Sequence, residues 1–213
     1  MKKRKLKPFV KVTIVSVLFV TFVVTAGIIT NNYSAPVANI NDDYIYVNDY
    51  IFDNYYPVAN QDEKIQRPYS AENISVYKNF YEEDASEEDQ QNAIIYHEGI
   101  YMQNSGVDYS SEETFDVLSS LSGTVTEVSE DTLLGNTVEI RNSSEVVTLY
   151  QCLSDVTVKK GDTITQGQVI AKSGTCALNG DVKNGLHFEM YKNGTVINPE
   201  KYYDKSVKEL TDN

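Results

Sequence analysis

Few side chains in this chain can do chemistry. Its 213 residues include two histidines, His97 and His187, and two cysteines, Cys152 and Cys176. Two imidazoles limit any histidine-based metal centre, and two thiols make neither a disulfide framework nor a Cys-rich zinc module. Asp108, His187 and a Cys152 thiolate are donor types that zinc accepts. The acidic run EEDASEEDQQ at 82–91 has the composition of a calcium site without its ligand spacing, so it reads as a solvated turn or short helix. The pattern G-D-x-I-x-x-G-Q-x-I at 161–170 is shared with lipoyl-type carriers. Those present a modified lysine at a hairpin tip beside Met, and no such Met-Lys-Met turn exists here.

Net charge narrows the partners. The chain carries 18 Lys+Arg against 31 Asp+Glu, a formal charge of −13. Six of the basic residues lie in the first thirty positions, which leaves 12 basic against 31 acidic groups over 31–213. A body so negative repels phosphate backbones, so nucleic acid is excluded as a partner.

Three kinds of element must carry these residues. The uncharged run VTIVSVLFVTFVVTAGII at 12–29 spans about 27 Å as a helix, close to the ~30 Å hydrocarbon core. With Phe9 and Val10 it predicts a transmembrane helix over 9–30. The basic tail 1–8 ahead of it places the amino end in the cytoplasm and the rest across the membrane. A cleaved signal peptide ending at Val24-Thr25-Ala26 is the rival, opposed by an apolar run that continues through Ile28 and Ile29. Residues 31–92 read as an acidic, Tyr/Asn-rich stalk with an approach strand at 74–81. From Ala93 to Tyr203, short β runs alternate with tight turns. Candidate strands are AIIYHEGIYM, TFDVLSSLSGTVTEVSE, TVEIRNS, VVTLYQCL, TITQGQVIAKSG, LHFEMYKNG and TVINP. Asn193-Gly194 is the strongest hairpin signal, because a type I′ turn needs φ > 0 at both central residues. The expected fold is all-β, a compact antiparallel sandwich or barrel over 93–203, followed by a tail over 204–213.

The run VKKGDTITQGQVIAKSG at 158–174, followed by LHFEMYKNGTVINPEKYY at 186–203, resembles the LytM/lysostaphin-type zinc metallopeptidase domain. Gly123–Val128, GNTVEI and TLYQCLS fit it in the same order. The resemblance implies a lipoyl-like barrel-sandwich that holds Zn²⁺ with two histidines and one aspartate to hydrolyse cell-wall peptide bonds. The family draws its ligands from H-x-G-x-D and from the second histidine of H-x-H-F-E. The first histidine of that pair and one ending Y-x-H act on the water and the oxyanion. Here Asn104 stands at the first ligand position, Asp108 at the second, Cys152 at the Y-x-H histidine, Gly185 at the first of the H-x-H pair and His187 at the last. The full set needs four histidines, so no realignment restores it. HEGIY at 97–101 imitates the first-ligand segment, with Tyr101 in place of the aspartate. The 15-residue step from Asp108 to Gly123 suits the family, and NSGVD is therefore the matching segment, with His97 a strand residue.

These positions predict no catalysis and no metal site beyond a weak Asp108–His187 remnant, read as a hydrogen-bonded pair. Whether Cys152 and Cys176 are joined stays open. The order of tail, span, stalk and eroded domain is similar to the sporulation members of the family in endospore-forming bacteria. It implies a forespore-membrane protein whose partner is a mother-cell membrane protein like stage III sporulation protein AH, in a ring-forming hetero-oligomer, with peptidoglycan as a further ligand. The competing expectation is an active zinc-dependent cell-wall endopeptidase with substituted ligands.

Overall fold

Alternation of buried and exposed side chains gives the strands their faces. In VVTLYQCLS, Val146, Thr148 and Tyr150 turn inward while Val147 and Leu149 are less buried. GLHFEMYK is buried over its first six residues, as a strand covered on both faces must be. The computed structural model describes residues 60–212 except 144, 179, 181 and 183. The tail 1–8, the expected span 9–30 and the stalk to residue 59 lie outside the described residues. Among the described residues, no helix is long and apolar enough to cross a membrane.

The chain order is β1 (Ser75–Lys78), α1 (Glu87–Asn92), β2 (Ile94–His97), β3 (Ile100–Gln103), β4 (Val107–Ser110), β5 (Asp116–Leu118) and β6 (Gly123–Asp131). There follow β7 (Gly135–Arg141), β8 (Val146–Ser154), β9 (Thr163–Ile164), β10 (Val169–Ser173), β11 (Gly185–Lys192), β12 (Thr195–Ile197), a 3₁₀ turn (Pro199–Lys201) and α2 (Val207–Thr211). One ten-stranded antiparallel sheet runs β1-β4-β11-β8-β7-β6-β9, with β12 on β11 and with β10 joining β5 to β8. The β2–β3 hairpin forms a separate two-stranded sheet. The mostly-β antiparallel class is the one expected from sequence.

Three expected strands are each divided. AIIYHEGIYM folds back on itself at Glu98 (φ 47°) and Gly99 (φ 87°). TFDVLSSLSGTVTEVSE breaks between β5 and β6, and TITQGQVIAKSG breaks at Gly167 (φ 75°). The β11–β12 turn has φ 50° at Asn193 and 75° at Gly194, the type I′ signature that pair predicted. The 82–91 run ends in α1, whose Ser86 cap accepts a hydrogen bond from the Asp89 amide.

Tyr109, Tyr150, Phe188, Ile140, Leu186 and Met190 are fully buried and centre the core on β4, β7, β8 and β11. Each large side chain buried in this way stabilises the fold by about 1.5–3 kcal/mol. The core extends past the expected 93–203 span: Ile65 and Leu210 are fully buried in it, and Val207 nearly so. The last segment, expected to hold a helical turn within the tail 204–213, carries α2, started by a capping box between Ser206 and Glu209. The incoming chain is clamped to it. The Ile65 amide donates to Lys205 (2.9 Å), Asp204 donates to Ile65 (2.9 Å), and the Val207 amide donates to Glu63 (3.0 Å). Arg67 grips Glu200 with two bonds of 2.7 Å, and Glu200 also accepts from the Tyr109 hydroxyl at 2.8 Å.

Candidate functional site: a buried histidine between two carboxylates

β4 and β11 pair with Asp108 opposite His187, so their side chains meet on one face. The His187 Nδ1–H donates to Asp108 Oδ1 at 2.9 Å, the pair expected from the sequence. Asn104, one residue past β3, donates from Nδ2 to Asp108 Oδ2 and to the Asn79 carbonyl, both at 2.9 Å. NSGVD therefore brings its first and last residues to the site. His97 closes the β2–β3 hairpin, half-buried, where the competing alignment would have made it a ligand.

Sequence reasoning missed Glu189. It lies two residues beyond His187 on the same face of β11, and its Oε1 sits 3.1 Å from His187 Nε2. Glu189 also accepts from the Ser105 hydroxyl and, at 2.5 Å, from the Tyr191 hydroxyl. The i, i+2 spacing in GLHFE was the available signal. Gly106 makes the approach possible: a Cβ there would lie 2.8 Å from His187 Nε2 and 2.5 Å from the Phe188 carbonyl.

The imidazole is thus held between two carboxylates. Burial alone would lower its pKa, but the bonds to Asp108 and Glu189 outweigh burial and push it up to about 9. Burial likewise favours the neutral form of Glu189, and the contact with His187 overrides it, bringing Glu189 down to about 2. At neutral pH both ring nitrogens carry protons and both donate.

The other family positions lie close by. Cys152 is bonded to Cys176 in a disulfide that spans 24 residues, which settles the pairing the sequence left open. At Gly185 a Cβ would lie 2.7 Å from Val182 Cγ1, so any side chain there would have to displace Val182. Asp108, Cys152, Cys176, Val182, Gly185 and His187 line a cavity of about 10 Å³. That is room for one water molecule.

These residues do not fit a zinc ion. Zinc takes at least three His, Cys or carboxylate donors, and of the family positions only Asp108 and His187 still offer one. The Cys152 sulfur is oxidised. Asn104 Oδ1 is a buried amide oxygen without a hydrogen bond among the described residues, but it is neutral and a poor replacement for imidazole. Among the described residues, no group of three or more His, Cys, Asp or Glu is arranged to hold a metal.

Fold and site together define the class. Residues 102–199 match the family model described as Peptidase family M23, and the chain belongs to that family. The particular relatives lie in sporulation. Stage II sporulation protein Q of Bacillus subtilis (strain 168) is 40% identical over 142 residues, covering 66% of this chain and 50% of that protein. The chain thus spans about half the length of that relative. A solved chain described as "Structure of the SpoIIQ-SpoIIIAH pore forming complex" is 39% identical with a TM-score of 0.68, covering 70% of this chain and 96% of that one. A zinc containing peptidase from Vibrio cholerae shares the fold at 23% identity and a TM-score of 0.52, over 64% of this chain and 39% of that one.

Proposed function

We propose that the chain is a non-catalytic M23-fold scaffold, anchored by 9–30 in the forespore membrane with its amino end cytoplasmic. Its domain binds a mother-cell membrane protein of the stage III sporulation protein AH type, within a ring or channel that supports engulfment. The observation that carries the reading is His187. It is the one histidine left at the family's positions, its two nitrogens are tied to Asp108 and Glu189, and a lone imidazole cannot both ligate zinc and prime the attacking water. Asn104, Cys152 and Gly185 supply no replacement base or ligand. A fold outlives its chemistry when core and site depend on different residues, and its surface is then what remains for use. The relative solved with SpoIIIAH supports the choice of partner.

The test is direct. The purified full chain binds the soluble domain of stage III sporulation protein AH, carries no stoichiometric zinc by elemental analysis and leaves peptidoglycan intact. Deleting 31–213 blocks spore formation, and His187→Gln does not. Peptidoglycan turnover abolished by His187→Gln overturns the reading in favour of the endopeptidase, and a normal spore yield from the deletion rejects the scaffold role.

A further inference from the structure

Five of the large apolar side chains exposed among the described residues lie on two elements, and two of the five, Tyr77 and Tyr96, line one cleft. Val76 and Tyr77 lie on β1, and Tyr96, Ile100 and Tyr101 on the β2–β3 hairpin. Tyr96 and Tyr101 are directly opposed across that hairpin with ring centroids 4.9 Å apart, yet they are 61% and 74% exposed. Between hairpin and strand runs a cleft of about 410 Å³, lined by Tyr77, Ile94, Tyr96, His97, Glu98 and Leu178. β1 is also the end of the sheet. It pairs with β4 alone among the described strands, so its other edge offers backbone N–H and C=O groups. Exposed tyrosines beside an open edge make a surface suited to strand addition.

Charge selects the occupant. Residues 82–98 hold seven acidic side chains and no Lys or Arg, and Glu83, Asp84, Glu87, Glu88 and Asp89 are exposed. Lys78 spends its ammonium on the carbonyls of Ile94 and Asn92, and Lys201 pairs with Glu82, which leaves the exposed acids of 83–89 to face solvent. The chain's own residues 31–59 carry four aspartates and no basic group. A second copy would bring 12 basic against 27 acidic groups over 60–213. Both are repelled by this face. We propose that the β1 edge and the β2–β3 hairpin are the docking surface for an extended, cationic segment of a different protein. Its apolar side chains pack on the tyrosines, and its Lys and Arg side chains face α1 and the 82–89 acids. The proposal rests on the partner-binding reading above and adds where the partner sits.

The experiment uses the full chain in detergent and the soluble domain of stage III sporulation protein AH as probe, with affinity measured at 50 and 300 mM salt. The paired change Tyr96→Ser and Tyr101→Ser is expected to weaken binding at least tenfold at both salts. Glu87→Lys with Glu88→Lys weakens it about tenfold at low salt and flattens the salt dependence. Val128→Ser, an exposed apolar site on β6 at the far side of the sheet, leaves it unchanged. Parental affinity in both altered chains overturns the docking surface while the scaffold reading stands. A parent that does not bind the probe defeats that reading, and this proposal with it. Hydrogen exchange supplies an independent check: the β1 amides that face away from β4, if protected in the free chain like those of β11, would mean that the edge is already covered and overturn the proposal.

Discussion

Two faces of this molecule lie within one strand of each other and have opposite characters. Around His187, every charge is answered by a neighbour: an imidazolium between two carboxylates, a disulfide at its side and space for one water. On β1 and the hairpin, aromatic rings stand in solvent beside an unpaired edge. A buried polar group must find partners within the fold, because leaving it unpaired costs several kcal/mol. An exposed apolar group carries no such requirement and can stay open for a partner. The difference separates a site closed by its own electrostatics from a surface still available for contact.

The comparison can be broken from its closed side first. His187→Ala leaves two buried carboxylates facing each other, and the expected loss is about 3–5 kcal/mol of unfolding free energy, read from urea denaturation. A loss below about 1 kcal/mol would mean the pair is solvated and the site is not closed. Replacing both cysteines by alanine removes a link over 24 residues and should cost about 3 kcal/mol. Thermal melts of the oxidised and reduced parent should differ in the same direction.

A smaller, graded effect follows from pH. The folded state raises the pKa of His187 from 6.5 to about 9, so its contribution is complete below 6.5 and is lost as pH rises through about 9. Glu189 has the reverse sign: its contribution is complete above 4.5 and is lost as pH falls through about 2. Urea midpoints should therefore be highest between about pH 4.5 and 6.5 and decline on the alkaline side, and His187→Gln should flatten that alkaline limb. The open face supplies the smallest effect. Tyr101→Ser should shift stability by less than about 0.5 kcal/mol, since the ring is exposed; a larger shift would place it in a core.

Much of this was readable from residue order. The Asn193-Gly194 turn, the identity of β11 and the choice of NSGVD over HEGIY all follow from spacing, and Asp108 does meet His187. What escaped had physical causes. Glu98-Gly99 lies inside a run whose β-prone residues continue on both sides, so the fold-back left little trace in the pattern. Ile65 and Leu210 sit among polar neighbours, and only tertiary packing makes them core. Glu189 drew no reading of its own, because burying a carboxylate is costly until its partner is known. The disulfide depends on loop geometry, which two cysteines 24 apart do not specify.

The clamp between residues 63–67 and 200–207 has a mechanical consequence. Tension arriving along the chain ahead of residue 60 meets the antiparallel bonds of Glu63 and Ile65 and the Arg67–Glu200 grip before it reaches any strand of the sheet. Those linkages work as a strain relief, so a load borne by the leading segment drains into the carboxyl-terminal helix and leaves β1 unstretched.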